Sequence, residues 1–172
     1  MRQSLAGLFS FLQDSEHRRR SALLAQNPIF EGLPLHTIGR LLPRMFEKQY
    51  APGDVVFHAG DPGRGLFIVL EGEVEIVRHE PGIDEPRRLA VLGDNTAFGE
   101  LALIDEHPRA ATARVTTPTR MLILYRSEFE AMIAGEPRVA VALARNLLRI
   151  LAGYVRNPGT RPAAAPAGPK AS

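Results

Sequence analysis

The chain has 172 residues, 45% of them hydrophobic, with 21 Lys and Arg against 19 Asp and Glu and no cysteine. That length holds one ordinary domain with flanking material, and the missing thiols exclude disulfides, thiolate metal sites and a cysteine nucleophile. A net charge of +2 with scattered arginines, Arg18–Arg20 being the one cluster, is not the basic stripe that a nucleic-acid surface needs.

The first segment, MRQSLAGLFSFLQ, has a short apolar stretch broken by Gly7 and Ser10 and no clear cleavage site, so a secretory signal is the weaker reading. No run approaches the roughly 18–20 apolar residues of a membrane span, and the cytoplasm is the expected compartment. Residues 4–25 read as helical, with Leu5, Leu8, Phe9 and Leu12 on one face. That stripe is read as core rather than as a membrane or partner anchor. Ser15 and Ser21 are candidate N-caps around a polar HRRR break. Asn27-Pro28 marks a boundary, because a residue before proline is pushed away from helix. The expected organisation is therefore a helical extension over 1–27, a domain over 28–156 that opens with a short helix near 34–45, and a tail over 157–172.

From Phe46 to Tyr125 the pattern changes to short β runs: FEKQY, VVFH, LFIVLE, EVEIVRH, RRLAVL, ATARVTT and RMLILY. Gly53, Gly60 and Gly72 lie in the turns between them and are read as turn residues without a ligand role. Many short strands with regular turn signals predict a sandwich or barrel. Helix returns after Tyr125, where Ser127 and Glu130 match a capping box and Gly135 is the expected stop. A longer helix is predicted from Pro137 to Arg156, with an apolar stripe that includes Ala140, Leu143, Leu147 and Leu151. The remaining NPGTRPAAAPAGPKAS has no large apolar residue and is expected to be disordered.

Between the β runs lies AFGELALIDEHPRAAT. Gly99-Glu100-Leu101-Ala102-Leu103 reads as a short helical turn whose first N–H groups lack intrahelical acceptors and carry partial positive charge. A phosphate can accept from such groups. Glu100 suits a hydroxyl donor such as a ribose 2′-OH, and Arg109 can neutralise a phosphate. Amides, a carboxylate and an arginine in one segment imply a ligand with both phosphate and ribose. Taken alone, Glu100 and Arg109 could instead form a simple salt bridge. His36, His58, His79 and His107 show no metal-ligand spacing, and Asp105-Glu106-His107 reads as a solvated loop. No constellation of nucleophile, base and metal appears, so an enzyme is not expected.

The segment resembles the phosphate-binding cassette of the cyclic-nucleotide-binding domain family, which includes kinase regulatory subunits, gated channels and receptor proteins. FGELAL, the nine steps from Glu100 to Arg109, and PRAAT carry the resemblance. Upstream, Tyr50-Ala-Pro-Gly53-Asp, Gly60-Asp61 and LFIVLEGEVEIV match as well, over roughly residues 28–155. The resemblance implies a mostly β fold with flanking helices, a jelly-roll barrel of the double-stranded β-helix, cupin-like kind. It implies that Glu100, with the Gly99 backbone, binds the ribose, and that Arg109 pairs with the cyclic phosphate. The Leu101, Ala102 and Ala110 backbones would assist, while Ala111 and Thr112 begin the strand beside the base. A threonine after the arginine favours cyclic GMP in this family; Ala110 stands there, so cyclic AMP is the implied ligand, with no further cofactor. Asn95 replaces a common glycine and tolerates a left-handed conformation. Tyr154 could cap the adenine by stacking, or pack on the barrel or a second subunit.

The expectation is a stand-alone sensor without an output domain, since nothing after Arg156 could form a helix-turn-helix. It would signal through an unidentified protein partner or through a homodimer made by the 137–156 helix. The alternatives are a ligand-independent interaction module on the same barrel and a cyclic dinucleotide receptor.

Overall fold

The uninterrupted apolar runs Leu66–Leu70 and Met121–Leu124 become strands that are buried on both faces. A strand sends alternate side chains to opposite sides, and here each side meets a different core. Leu66, Ile68, Leu70, Leu122 and Leu124 pack against helices. Phe67, Val69, Met121 and Ile123 point between two sheets, where they meet Ile76, Ala113 and Val115. Each fully buried Leu, Ile or Phe contributes about 1.5–3 kcal/mol. The lack of polar alternation in these runs is therefore a consequence of three-layer packing.

The computed structural model describes residues 2–79, 82 and 85–156, with side chains from residue 14 onward. Eight strands follow in chain order: β1 (Phe46–Tyr50), β2 (Val55–Phe57), β3 (Gly65–Glu71), β4 (Val74–Arg78), β5 (Arg87–Leu92), β6 (Ala97–Phe98), β7 (Thr112–Val115) and β8 (Thr119–Tyr125). They form two four-stranded antiparallel sheets, ordered β1-β8-β3-β6 and β2-β7-β4-β5. The result is the jelly roll with flanking helices that the strand spacing and the resemblance imply. Seven strands match the sequence expectation; β6 is additional, a two-residue strand too short to show periodicity.

Helix α1 (Arg2–Ala25) runs without interruption through the predicted HRRR break. The Ser21 hydroxyl donates back to the His17 carbonyl at 2.9 Å instead of capping a new helix. Arg20 pairs with Glu16 at 3.2 Å and with Glu47 of β1 at 2.6 Å, so the polar run faces partners rather than ending the helix. Leu24 is fully buried in the core shared with Phe30. The stripe predicted at Leu5–Leu12 and the tail over 157–172 lie outside the residues whose side chains are described. Helix α2 (Leu35–Leu41) continues as a 3-10 turn over Leu42–Arg44, close to the predicted span.

Helix α3 (Arg126–Gly135) starts one residue before the expected cap. Tyr125 is still paired with Gly65 in the sheet, and the Arg126 N–H donates to the Arg64 carbonyl at 2.9 Å. The chain thus enters helix directly from β8, Ser127 sits inside the first turn, and the capping box does not form. Helix α4 (Pro137–Arg156) has the predicted bounds and buries Ala140, Leu143 and Leu147. Its buried Asn146 donates to the carbonyls of Ile29 and Glu31, both at 2.9 Å, tying α4 to the 3-10 turn over Pro28–Phe30. Gly72 turns β3 into β4 at φ 105°, and a Cβ there would lie 2.4 Å from the Thr119 hydroxyl. Among the described residues no helix is long and apolar enough to cross a membrane.

Candidate functional site

Residue 99 is glycine for two reasons that act together. Its φ is 74°, a left-handed value that costs an L side chain roughly 1–2 kcal/mol. A Cβ would also lie 2.5 Å from Arg109 Nη1. Gly99 thereby turns β6 into a 3-10 turn over Glu100–Leu103 and lets the Arg109 guanidinium lie against its backbone. The N–H groups of Glu100 and Leu101 open that turn, where no intrahelical acceptor exists.

Arg109 is held from two directions. Its N–H donates to the Asp61 carbonyl at 2.8 Å, and its carbonyl accepts from Gly60 at 2.9 Å. Pro62 and Pro108 pair as an antiparallel bridge beside these bonds. At the far end of the side chain, Nη1 donates to the Gly99 carbonyl at 3.0 Å and Nη2 to the Gly65 carbonyl at 2.7 Å. The ring of Phe57 lies 4.3 Å from the guanidinium carbon and that of Phe67 5.6 Å. Of five N–H donors, two are spent on carbonyls, and Nε is buried with no partner. Burial pulls the Arg109 pKa below its ordinary value; nearby Glu100 and Asp61 oppose that shift and Arg126 adds to it.

Glu100 is 6% exposed. It makes no hydrogen bond or ion pair with a side chain among the described residues, so the simple salt bridge to Arg109 is not formed. Arg109 is half-buried, but its Nε is fully buried and idle, and such a donor is costly unless something else satisfies it. Glu100 and Arg109 line one cavity of ≈ 120 Å³.

Of the residues predicted for the site, Gly99, Glu100, Leu101, Ala102, Arg109, Ala110 and Ala111 line this cavity. Thr112 does not; its hydroxyl accepts from the Ala59 N–H at 3.0 Å and secures the β2–β7 edge. Tyr154 lies near the end of α4, half-buried and away from the cavity wall. Asp105 and His107, read from the sequence as a solvated loop, are exposed but also reach the lining with Pro108, and the structure further adds Phe57, Ile76 and Phe98. Phe57 and Phe98 face each other across a 6.0 Å ring separation. Only the alternation of apolar residues along the strands could have pointed to these three, and alternation marks every core residue alike.

The cavity wall thus combines an arginine, the backbone at the start of a 3-10 turn and a glutamate without a side-chain partner, groups whose chemistry suits an anion and a hydroxyl. Comparisons with known proteins place the chain in a family. A model of the cyclic nucleotide-binding domain matches residues 47–136. The cyclic AMP receptor protein of Thermus thermophilus is 37% identical over 125 residues, 73% of this chain and 57% of that protein. A CRP-like cAMP-activated global transcriptional regulator of Mycobacterium tuberculosis is 33% identical over 129 residues, 75% of this chain and 57% of that protein. The N-terminal domain of a transcriptional regulator from Streptomyces coelicolor superposes with a TM-score of 0.71 at 36% identity, over 78% of this chain and 96% of that one.

The chain belongs to the cyclic nucleotide-binding domain family. Its matched segment spans little more than half, 57%, of each of these two curated relatives.

Proposed function

We propose that the chain is a regulatory sensor that binds cyclic AMP in the Glu100–Arg109 cavity and passes its occupancy to a protein partner through α3 and α4. The observation that carries this reading is that buried Glu100 and half-buried Arg109, opposite in charge, line one cavity without forming an ion pair. The idle donors of Arg109 and the free amides of Glu100 and Leu101 suit a cyclic phosphate. The Glu100 carboxylate suits the ribose 2′-OH, which a phosphate-only ligand lacks. Ala110 offers no hydroxyl to a guanine, which supports adenine over guanine. Phe57, Ile76 and Phe98 would give the ligand an apolar wall.

Binding regulates something only if it favours one arrangement of the helices over another. Arg126, the first residue of α3, donates to the Ala102 carbonyl of the cassette, so closure of the cassette on a phosphate would shift that helix.

Isothermal titration of the intact chain with cyclic AMP, cyclic GMP and a cyclic dinucleotide tests the reading. Binding of cyclic AMP in preference to the other two is expected, with affinity strongly reduced in Arg109→Ala. Absence of binding to all three would support a ligand-independent interaction module instead.

A further inference from the structure

Phe57 faces inward only because β2 is irregular. Successive side chains of a strand alternate between its two faces, so Val55 and Phe57 would ordinarily share one. Val55 lies opposite Arg114, and both are exposed. Phe57 lies opposite Ala113, which is fully buried between the sheets. The register shifts between Val55 and Phe57, and a bulge of this kind re-aims a side chain toward a site.

The re-aimed ring arrives on a cation. Its centroid lies 4.3 Å from the Arg109 guanidinium carbon, against 5.6 Å for Phe67. Phe57 leans in turn on Phe67 at 5.6 Å and on Phe98 at 6.0 Å, and those two rings stack at 5.3 Å with 16° between their planes. The three rings form one platform, and Phe57, its half-buried member, lies closest to the guanidinium. The residues that follow Phe57 hold the other end of the same arginine. The Gly60 N–H donates to the Arg109 carbonyl at 2.9 Å, and the Arg109 N–H donates to the Asp61 carbonyl at 2.8 Å. Residues 57–61 therefore grip Arg109 at its backbone and at its charge.

A leucine at position 57 would fill the same space, but it has no negative ring face. A carboxylate would hold the guanidinium more strongly, but it would occupy the donors that an anion needs. A ring face attracts a desolvated cation without taking a donor. The Gly99 and Gly65 carbonyls accept one bond each from Arg109, and no described carboxylate pairs with it. We infer that Phe57 is a positioning residue of the anion site: its ring, backed by Phe67, fixes the Arg109 guanidinium and leaves the remaining donors free for a phosphate. The consequence for cyclic AMP rests on the sensor reading; the hold on Arg109 stands without it.

Mono-, di- and trifluorinated phenylalanine at position 57 keep the shape of the ring and progressively drain negative charge from its face. Phe57→Leu removes the face altogether. In the ligand-free chain, exchange of the Arg109 Nε proton with water, followed by NMR, should quicken stepwise along the series and most in Phe57→Leu. Cyclic AMP affinity, measured by calorimetry, should fall in the same order, by about threefold to thirtyfold for Phe57→Leu. The fluorinated chains keep the core volume, so the series decides the matter even where Phe57→Leu fails to fold. Exchange that does not respond to fluorination overturns the proposal. A fall in affinity with unchanged exchange overturns it too, and makes Phe57 a direct contact of the ligand. So does faster exchange with unchanged affinity in a chain that binds cyclic AMP, because the hold then has no consequence for the site. A wild-type chain with no calorimetric response to cyclic AMP sinks the sensor reading, and exchange alone then decides the hold on Arg109.

Discussion

Arg126 Nε donates to the Ala102 carbonyl at 2.7 Å, which bonds the first residue of α3 directly to the middle of the cassette. Its Nη2 reaches the Gly63 carbonyl at 3.0 Å and the Asp105 carbonyl at 2.5 Å, while Nη1 meets Glu106 at 2.9 Å. One side chain, 16% exposed, thus gathers the second half of the cassette turn, the loop after it and the loop before β3. Any displacement of residues 102–105 must either carry α3 along or break these bonds.

Arg126→Ala is expected to lower stability by about 2–3 kcal/mol, because several charge-assisted bonds are lost and buried carbonyls are left without a donor. Its effect on signalling should be larger than its effect on binding. Cyclic AMP would still find Glu100 and Arg109, yet the change in hydrogen exchange of α3 and α4 on adding nucleotide should shrink. Exchange measured with and without ligand, in both proteins, checks this. Equal responses would mean that the helices are reached by another route.

Gly99→Ala combines an unfavourable backbone with a collision, since the new methyl would sit 2.5 Å from Arg109 Nη1. The strained φ of 74° costs roughly 1–2 kcal/mol, and the guanidinium must leave the Gly99 carbonyl. Cyclic AMP affinity is therefore expected to drop by more than the stability loss alone implies, about tenfold or greater. Urea denaturation and calorimetry on the same preparation separate the two effects.

Much of this was legible in the residue order, and the parts that were not have physical causes. The strands declared themselves because glycine-bearing turns bracket runs of β-branched and aromatic residues. The cassette was readable because a glycine, a carboxylate and an arginine at fixed spacing have few structural uses in common. What tertiary bonds decide stayed hidden. Ser127 and Glu130 form a plausible cap, but sheet pairing through Tyr125 removed the need for one. The HRRR run looked like a break, and pairing of Arg20 with Glu47 made it part of a continuous helix. Phe57 and Arg126 belong to the site only because the barrel folds them against it, from positions 43 residues before and 26 residues after Glu100.

Tyr50 gives the stability of the fold an alkaline limit. Burial first, and then the proximity of Tyr125 and Asp54, push its phenol up to about 12. An unfolded tyrosine ionises near pH 10, so above that pH the unfolded chain loses a proton that the folded chain retains. The contribution is fully present below about pH 10 and is lost as pH rises toward about 12. Tyr50→Phe keeps the ring beneath Lys48 Nζ, now 4.6 Å from its centroid, and removes the titration. Urea midpoints at pH 9 and pH 11 should fall further in the wild type than in the variant, by roughly 1 kcal/mol. Parallel losses would assign the alkaline limit to other groups.

Glu100 permits the sharpest separation of binding from folding. The carboxylate is buried but bonded to no described side chain, so Glu100→Gln should leave stability within about 1 kcal/mol of the wild type. A neutral amide keeps the shape and loses the charge-assisted bond to a hydroxyl, which is worth about 1.5–3 kcal/mol. Cyclic AMP affinity should accordingly fall by roughly tenfold to a hundredfold. The 2′-deoxy analogue lacks the hydroxyl and should bind the wild type about as weakly as cyclic AMP binds the variant. Most of the penalty should then vanish when the variant meets the deoxy analogue, because the same bond cannot be lost twice. A four-way calorimetric cycle measures that coupling directly. Additive losses would place the ribose away from Glu100 and leave the carboxylate to act only on Arg109.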